Sequence, residues 1–182
     1  SIPFTKMRHL VFTPLNVVLH PLRRAGVLEK IEDIETAEKL GVGEITEFTS
    51  RQLLSFDACL RCGRCEEKCP VSISGQEYSP RKLIQHLRTI MVTELVSQNG
   101  QDGRPLSEAL PPEDTWACTT CGACLTLCPA FVNPVDEVVD LRRYQALTTG
   151  KLPKSVADTL RNLERKGNPW GMAPDSRMDW AE

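Results

Sequence analysis

The chain has no cysteine outside two short stretches, few aromatic residues (5%) and no long apolar run. Nothing in it reaches the roughly 18 consecutive apolar residues that read as a membrane-spanning helix. A formal net charge of −2 on 182 residues offers no basic excess of the kind that draws nucleic acid. Strand-like alternation of any length is missing, which points away from a β-rich domain and leaves an all-α, mainly helical fold as the expectation. With 41% hydrophobic residues and so few rings, the apolar core must be modest, and something else is expected to fill the centre. No nucleophile–base pair, phosphate loop or flavin fingerprint stands out, so no independent substrate site and no catalytic residue is legible. The chain opens at Ser1 without a signal-peptide pattern, which reads as a processed or excised piece.

What is present is one stretch written twice. Ala58-Cys59-Leu60-Arg61-Cys62-Gly63-Arg64-Cys65-Glu66-Glu67-Lys68-Cys69-Pro70 is repeated in pattern by Ala117-Cys118-Thr119-Thr120-Cys121-Gly122-Ala123-Cys124-Leu125-Thr126-Leu127-Cys128-Pro129. All eight cysteines fall in these two runs. The spacing is that of bacterial [4Fe–4S] ferredoxins, in which the fourth Cys serves the other cluster when two are present. Three thiolates at short intervals fold around one face of a cubane, and the fourth iron corner needs a ligand from elsewhere. The Pro after the fourth Cys fixes φ and leads the chain away from its own loop. Two [4Fe–4S] clusters are therefore expected, one on Cys59, Cys62, Cys65 and Cys128, the other on Cys118, Cys121, Cys124 and Cys69. Gly63 and Gly122 stand at matching places where φ > 0 and close approach of sulfide are useful.

Zinc and disulfides are the bland alternatives. A Cys₄ zinc site needs two Cys pairs and has no use for the third close Cys or the trailing Cys-Pro. Runs of C-x-x-C-x-x-C suit metal or redox use better than a secreted disulfide framework. A non-redox scaffold, held together by zinc or by clusters that never change oxidation state, stands as the alternative to an electron carrier. Reduced thiols and assembled clusters point to a cytoplasmic setting.

Along the chain, residues 1–28 carry Lys6, Arg8, Arg23 and Arg24 and no acid, with dense apolar residues interrupted by Pro3, Pro14 and Pro21. That segment reads as an arm too broken for a regular long helix. It suits a membrane surface or a membrane-embedded partner, or else packs on the protein's own body. His9 and His20 within it are read as structural rather than as haem or quinone contacts. Residues 29–47 are acid-rich and predict a solvated linker with a short helix near 31–39 ended at Gly41. Thr49-x-x-Gln52 predicts a capping box, and the helix it opens delivers Cys59. Ser79-Pro80 predicts the start of an amphipathic helix through Leu83, Ile84, Leu87, Ile90, Met91 and Leu95. Asn99-Gly100 and Asp102-Gly103 predict turns, and Leu106–Leu110 one helical turn. Asn133-Pro134 repeats the cap-plus-proline start, with Asp136 and Glu137 early and Arg142 and Arg143 late in the helix. Leu152, Val156, Leu160 and Leu163 predict a last helix stopped at Gly167. The expected organisation is an arm and linker over 1–48, a two-cluster domain over 49–150, and a C-terminal helix and tail over 151–182. Phe56 and Trp116, just ahead of the two repeats, read as core packing. Arg61 and Arg64, beside the first cysteines, are expected to favour the reduced state there and give that cluster the higher potential.

Both Cys repeats, the segment Ser79-Pro80-Arg81-Lys82-Leu83 and the ending Gly167-Asn168-Pro169-Trp170-Gly171 resemble the iron–sulfur portion of heterodisulfide-reductase-type oxidoreductases. The likeness extends to the C-type and D-type iron–sulfur proteins of heterodisulfide reductase and to the iron–sulfur subunits of anaerobic glycerol-3-phosphate dehydrogenase and glycolate oxidase. It implies an α-helical ferredoxin that relays electrons within an oxidoreductase complex. Its neighbours there would be a cytochrome-b-like, quinone-linked membrane component and a flavin or catalytic component. The opening Lys6-Met7-Arg8-His9-Leu10 resembles the segment that follows the membrane domain in fused members, which implies a place at the cytoplasmic face of the membrane through partners. Members that act on disulfides carry a later Cys-Cys-Gly-rich domain, and this chain has no further cysteine. Succinate dehydrogenase iron–sulfur subunits are a more distant likeness, since their plant-type cluster spacing is missing.

Overall fold

A computed structural model describes residues 7–21, 26–28, 30–31, 34–96 and 105–181. These residues are helical, with no strand among them. The chain divides into two compact units, Ser1–Thr148 and Thr149–Glu182.

The first unit is built around two helices that follow the two Cys-Pro steps. α5 (Pro80–Met91) starts where the Ser79 hydroxyl accepts from the Lys82 N–H at 3.3 Å. α9 (Pro134–Arg143) starts where Asn133 accepts from the Val135 N–H at 3.2 Å. Proline at the first turn loses nothing there, because that N–H has no intrahelical partner. Each of the two then runs on into a π-helical turn, Val92–Val96 and Tyr144–Thr148. α2 (Ser50–Ala58) opens on the full capping box: Gln52 N–H donates to Thr49 and Thr49 N–H to the Gln52 side chain.

Leu83, Ile84 and Leu87 of α5, Phe56 of α2 and Val138 and Leu141 of α9 meet in one core with Ile45, Phe48 and Leu106. Each such side chain, fully removed from water, contributes about 1.5–3 kcal/mol. Phe48 and Phe56 close it edge to face at 5.3 Å. Short helices complete the unit: α3 (Arg64–Glu67), α4 (Pro70–Ile73), α6 (Leu106–Ala109), α7 (Pro112–Trp116) and α8 (Ala123–Leu127).

Two expectations change. The prolines do not prevent a helix in the arm, because α1 (His9–Val18) forms with Pro14 inside it. Pro14 cannot donate to the turn before it, but long-range bonds hold the helix on α2. Thr13 Oγ1 donates to the Ala58 carbonyl at 2.8 Å, and Arg8 Nε to Asp57 at 3.0 Å. The described residues of the acidic segment form a turn at 34–36 and a 3₁₀ turn at Ile45–Glu47, not a helix near 31–39. Gly41 is not a helix stop. It holds φ +84°, and a Cβ there would strike the backbone of Asp140 and Tyr144 where the chain crosses the end of α9. The turns expected at Asn99-Gly100 and Asp102-Gly103 lie outside the described residues.

In the second unit, α10 (Lys154–Lys166) runs from Pro153 to Gly167, which takes φ 69° as the left-handed stop. A 3₁₀ stretch, Pro174–Ala181, follows the turn at Pro169-Trp170. No side chain of α10 or of that stretch is buried.

Candidate metal centre

The two cysteine loops share one backbone plan. α2 ends at Ala58, and the chain runs out through Cys59 to Cys62. It turns at Gly63 (φ 84°) into α3, which carries Cys65. In the second loop Gly122 (φ 77°) turns the chain into α8, which carries Cys124. Between the first two cysteines of each loop sits a left-handed residue that is not glycine, Arg61 at φ 56° and Thr120 at φ 54°. Such a conformation costs a non-glycine residue about 1–2 kcal/mol. What it provides is an inward N–H. Thr120 N donates to Cys118 Sγ at 3.3 Å, and the Arg61 N–H bonds Cys59 in the same way. Nothing about arginine or threonine signals this in the sequence.

The loops come together with α3 packed against α8. Cys59, Cys62, Cys65 and Cys128 line one cavity of about 430 Å³, part of it open to solvent, with Pro80, Ile84, Ala130, Val132 and Pro134 among its walls. Cys69, Cys118, Cys121 and Cys124 line a second, of about 260 Å³, with Tyr78, Pro80 and Val135. Cys128 thus leaves its own loop to line the first cavity, and Cys69 leaves its loop to line the second. Cys124 and Pro80 border both. Cys62 and Cys121 are the exposed cysteines, one at each cavity.

All eight cysteines are free thiols. Burial, and after it the neighbouring Cys59, Cys128 and Cys62, push the Cys65 thiol up to about 11. Burial, followed by Cys118, Cys65 and Cys121, pushes Cys124 up to about 12. Burial also raises Cys59, against the Arg61 N–H. These groups resist becoming thiolates together unless a cation joins them, and metal binding there must release protons. The donor set, soft thiolate throughout, fits iron–sulfur or zinc. Zinc needs its sulfurs about 2.3 Å from one point. Here four cysteines or more line each of two cavities. The cysteines surround a volume instead, and that fits a cubane.

The surroundings of the two cavities differ. α1 straps the first. Thr13 bonds the carbonyl just before Cys59, and fully buried Asn16 donates to the Ala130 carbonyl, two residues past Cys128, at 2.7 Å. His20 packs on Phe131 with ring centroids 4.9 Å apart and planes tilted by 48°; neither His9 nor His20 lines a cysteine cavity. At the second, Arg142 donates to the carbonyls of Thr115 (2.8 Å), Trp116 (3.3 Å) and Cys118 (2.6 Å) and lies 5.4 Å from the Trp116 ring. Tyr78 packs with Cys69, Val71, Ala117 and Cys118. Burial and the surrounding thiols hold its phenol protonated, far above the usual tyrosine range. Arg61 and Arg64 are exposed and, with Arg81, line the first cavity. Phe56 is a core residue and Trp116 donates to Gln145, and neither lines a cavity. Asn16, Tyr78 and Arg142 had no signal in the sequence as members of the site, since each reaches it only through folding.

Residues 55–132 match the family model described as a 4Fe-4S dicluster domain. Over the whole chain there is 32% identity to the "Probable iron-sulfur-binding oxidoreductase FadF" of Bacillus subtilis, covering 31% of that protein. Identity to the "EtfAB:quinone oxidoreductase" of Syntrophomonas wolfei is 30%, covering all of this chain and 29% of the relative. A protein of Archaeoglobus profundus, named for its likeness to the C-type component of heterodisulfide reductase, is 30% identical over 76% of this chain and 65% of its own length. The chain therefore spans about a third of the length of the larger relatives.

Proposed function

Proceeding from a helical 4Fe–4S dicluster domain of the heterodisulfide-reductase type, we propose that this chain is a two-cluster electron relay within an oxidoreductase complex. Cys59, Cys62, Cys65 and Cys128 hold one [4Fe–4S] cluster, and Cys69, Cys118, Cys121 and Cys124 hold the other. When bound, the clusters supply reversible one-electron transfer over the broad potential range open to such centres. The chain's own part is to hold eight thiolates in two groups that meet at Cys124 and Pro80, and to aim N–H groups at the sulfurs of Cys59 and Cys118.

The observation that carries this reading is the pair of adjoining thiol-lined cavities, each with one cysteine at the surface, Cys62 and Cys121. One exposed edge serves as entry and the other as exit. The partners are a quinone-linked membrane component and a flavin or catalytic component, which places the domain at the cytoplasmic face of the membrane. The quinone in the name of one relative supports this, as do the exposed apolar residues Leu10, Val18 and Leu19 of the α1 region. No described helix is long and apolar enough to cross a membrane itself.

Anaerobic purification with iron, sulfide and zinc analysis, followed by electron paramagnetic resonance of the reduced protein, tests the proposal. About eight irons per chain and two reducible signals are expected for two cubanes. A colourless, folded protein holding zinc sinks it.

A further inference from the structure

The two repeats invite a position-by-position comparison beyond their cysteines. Tyr78-Ser79-Pro80 and Val132-Asn133-Pro134 are equivalent: each ends on the proline that opens α5 or α9. Because Cys69 and Cys128 cross over, the segments behind them cross as well. Tyr78 of the first repeat lines the second cavity, and Val132 of the second repeat lines the first. At one and the same place, then, one cavity meets a phenol and the other an isopropyl group.

Tyr78 is only 4% exposed, and its hydroxyl has no oxygen or nitrogen partner among the described residues; it stands against the Cys118 thiol. The polar groups around that hydroxyl are the thiols of Cys118, Cys124 and Cys69, Cys118 foremost. A buried hydroxyl left unpaired costs about 1–3 kcal/mol, and phenylalanine would fill the same space without that cost. Arg142 spends its hydrogen bonds on the main-chain carbonyls of Thr115, Trp116 and Cys118. At the first site a donor of another kind, the Gln85 side-chain amide, stands beside Cys59 and works against the upward push of burial on that thiol.

We propose that Tyr78 is a tuning residue, whose hydroxyl donates a hydrogen bond to the Cys118 sulfur when the second site is loaded and raises the potential of that cluster alone. The inference rests on the two-cluster reading above. A hydrogen bond to sulfur draws off charge and favours the more negative, reduced state. No bond is made or broken, and the phenol keeps its proton throughout.

The test is a dithionite titration of the loaded full chain, followed by electron paramagnetic resonance, for wild type and Tyr78→Phe. Cys121→Ser and Cys62→Ser identify the second-site and first-site signals. The second-site midpoint should fall by about 59 mV, a tenfold loss for one electron, with the first-site midpoint unmoved. Incorporating ring-fluorinated tyrosine, a stronger donor, should move the same midpoint upward, a response that a packing role does not give. Tyr144, the other tyrosine, is controlled by repeating the labelling in Tyr144→Phe. Two signals that ignore both changes, or that shift together, overturn the inference and leave the relay reading standing. Absence of iron overturns both.

Discussion

The first cavity is lined by Arg61, Arg64 and Arg81 beside its apolar walls and is strapped from outside by α1, whereas the second has a phenol in its wall and no charged side chain, with Arg142 held behind its loop on main-chain carbonyls. The cysteine loops themselves are close copies, down to the left-handed turns at Arg61 and Thr120 and at Gly63 and Gly122. The difference comes from what the fold lays on each copy. Each repeat exports its fourth cysteine and the segment behind it to the other site, so Tyr78 and Val132 change places. Only the first site lies under α1. A sequence repeat therefore yields two environments.

Breaking the crossing should have the largest effect. Cys128→Ser is expected to remove the first-site signal and leave the second, with Cys69→Ser doing the reverse, each at about half the iron of the intact chain. Loss of the opposite signal in either variant would mean that each loop keeps its own four ligands. Asn16→Ala comes next. It removes the buried bond to the Ala130 carbonyl, destabilising the fold by about 2 kcal/mol. Under a chelator the first-site signal should bleach several-fold faster and the second at its wild-type rate; equal acceleration of both would end the idea of a one-sided strap.

The charges sharpen the comparison further. Burial lowers the Arg142 pKa, but the group remains a cation held against the second loop. Arg142→Gln should lower the second-site midpoint by about 40–60 mV, several-fold to tenfold. Neutralising exposed Arg61 and Arg64 together should move the first by less than about 20 mV, shrinking as salt is added. A larger response at Arg61 and Arg64 would restore the expectation that those two set the order of potentials.

The smallest contrast is expected from Glu137, because α9 borders both cavities, through Pro134 and Val135. Burial, then Asp140 and Asp136, hold this carboxyl well above the usual carboxylate range, against the Gln52 amide that donates to it at 2.7 Å. The folded chain keeps a proton there that the unfolded chain loses above about pH 4.3. Stability is thus lost as pH rises from that value through the folded pKa, by at most about 1.4 kcal/mol per unit. Glu137→Gln should flatten that decline in melts between pH 6 and 8.5, with both cluster signals unchanged.

Much of the frame was readable beforehand from residues whose effect is local. The Thr49–Gln52 box, Ser79-Pro80 and Asn133-Pro134 sit where helices begin, and Gly167 where one ends, since each acts on its own few neighbours. The arm departs from its local signal for the opposite reason: Pro14 argues against a helix, and bonds to Ala58, Asp57 and Ala130 override it. Gly41 carries no local signal for its role, because its conformation answers to α9, about a hundred residues away in the chain.

The sequence by itself determined the chemistry, because eight soft ligands at those intervals, each run closed by Cys-Pro, leave few other uses and carry their own turn residues. Only the tertiary structure decided which site received Tyr78, Arg142 and Asn16. Those side chains act through contacts tens of residues apart in the chain, and such contacts leave no periodicity or spacing to read until the chain is folded.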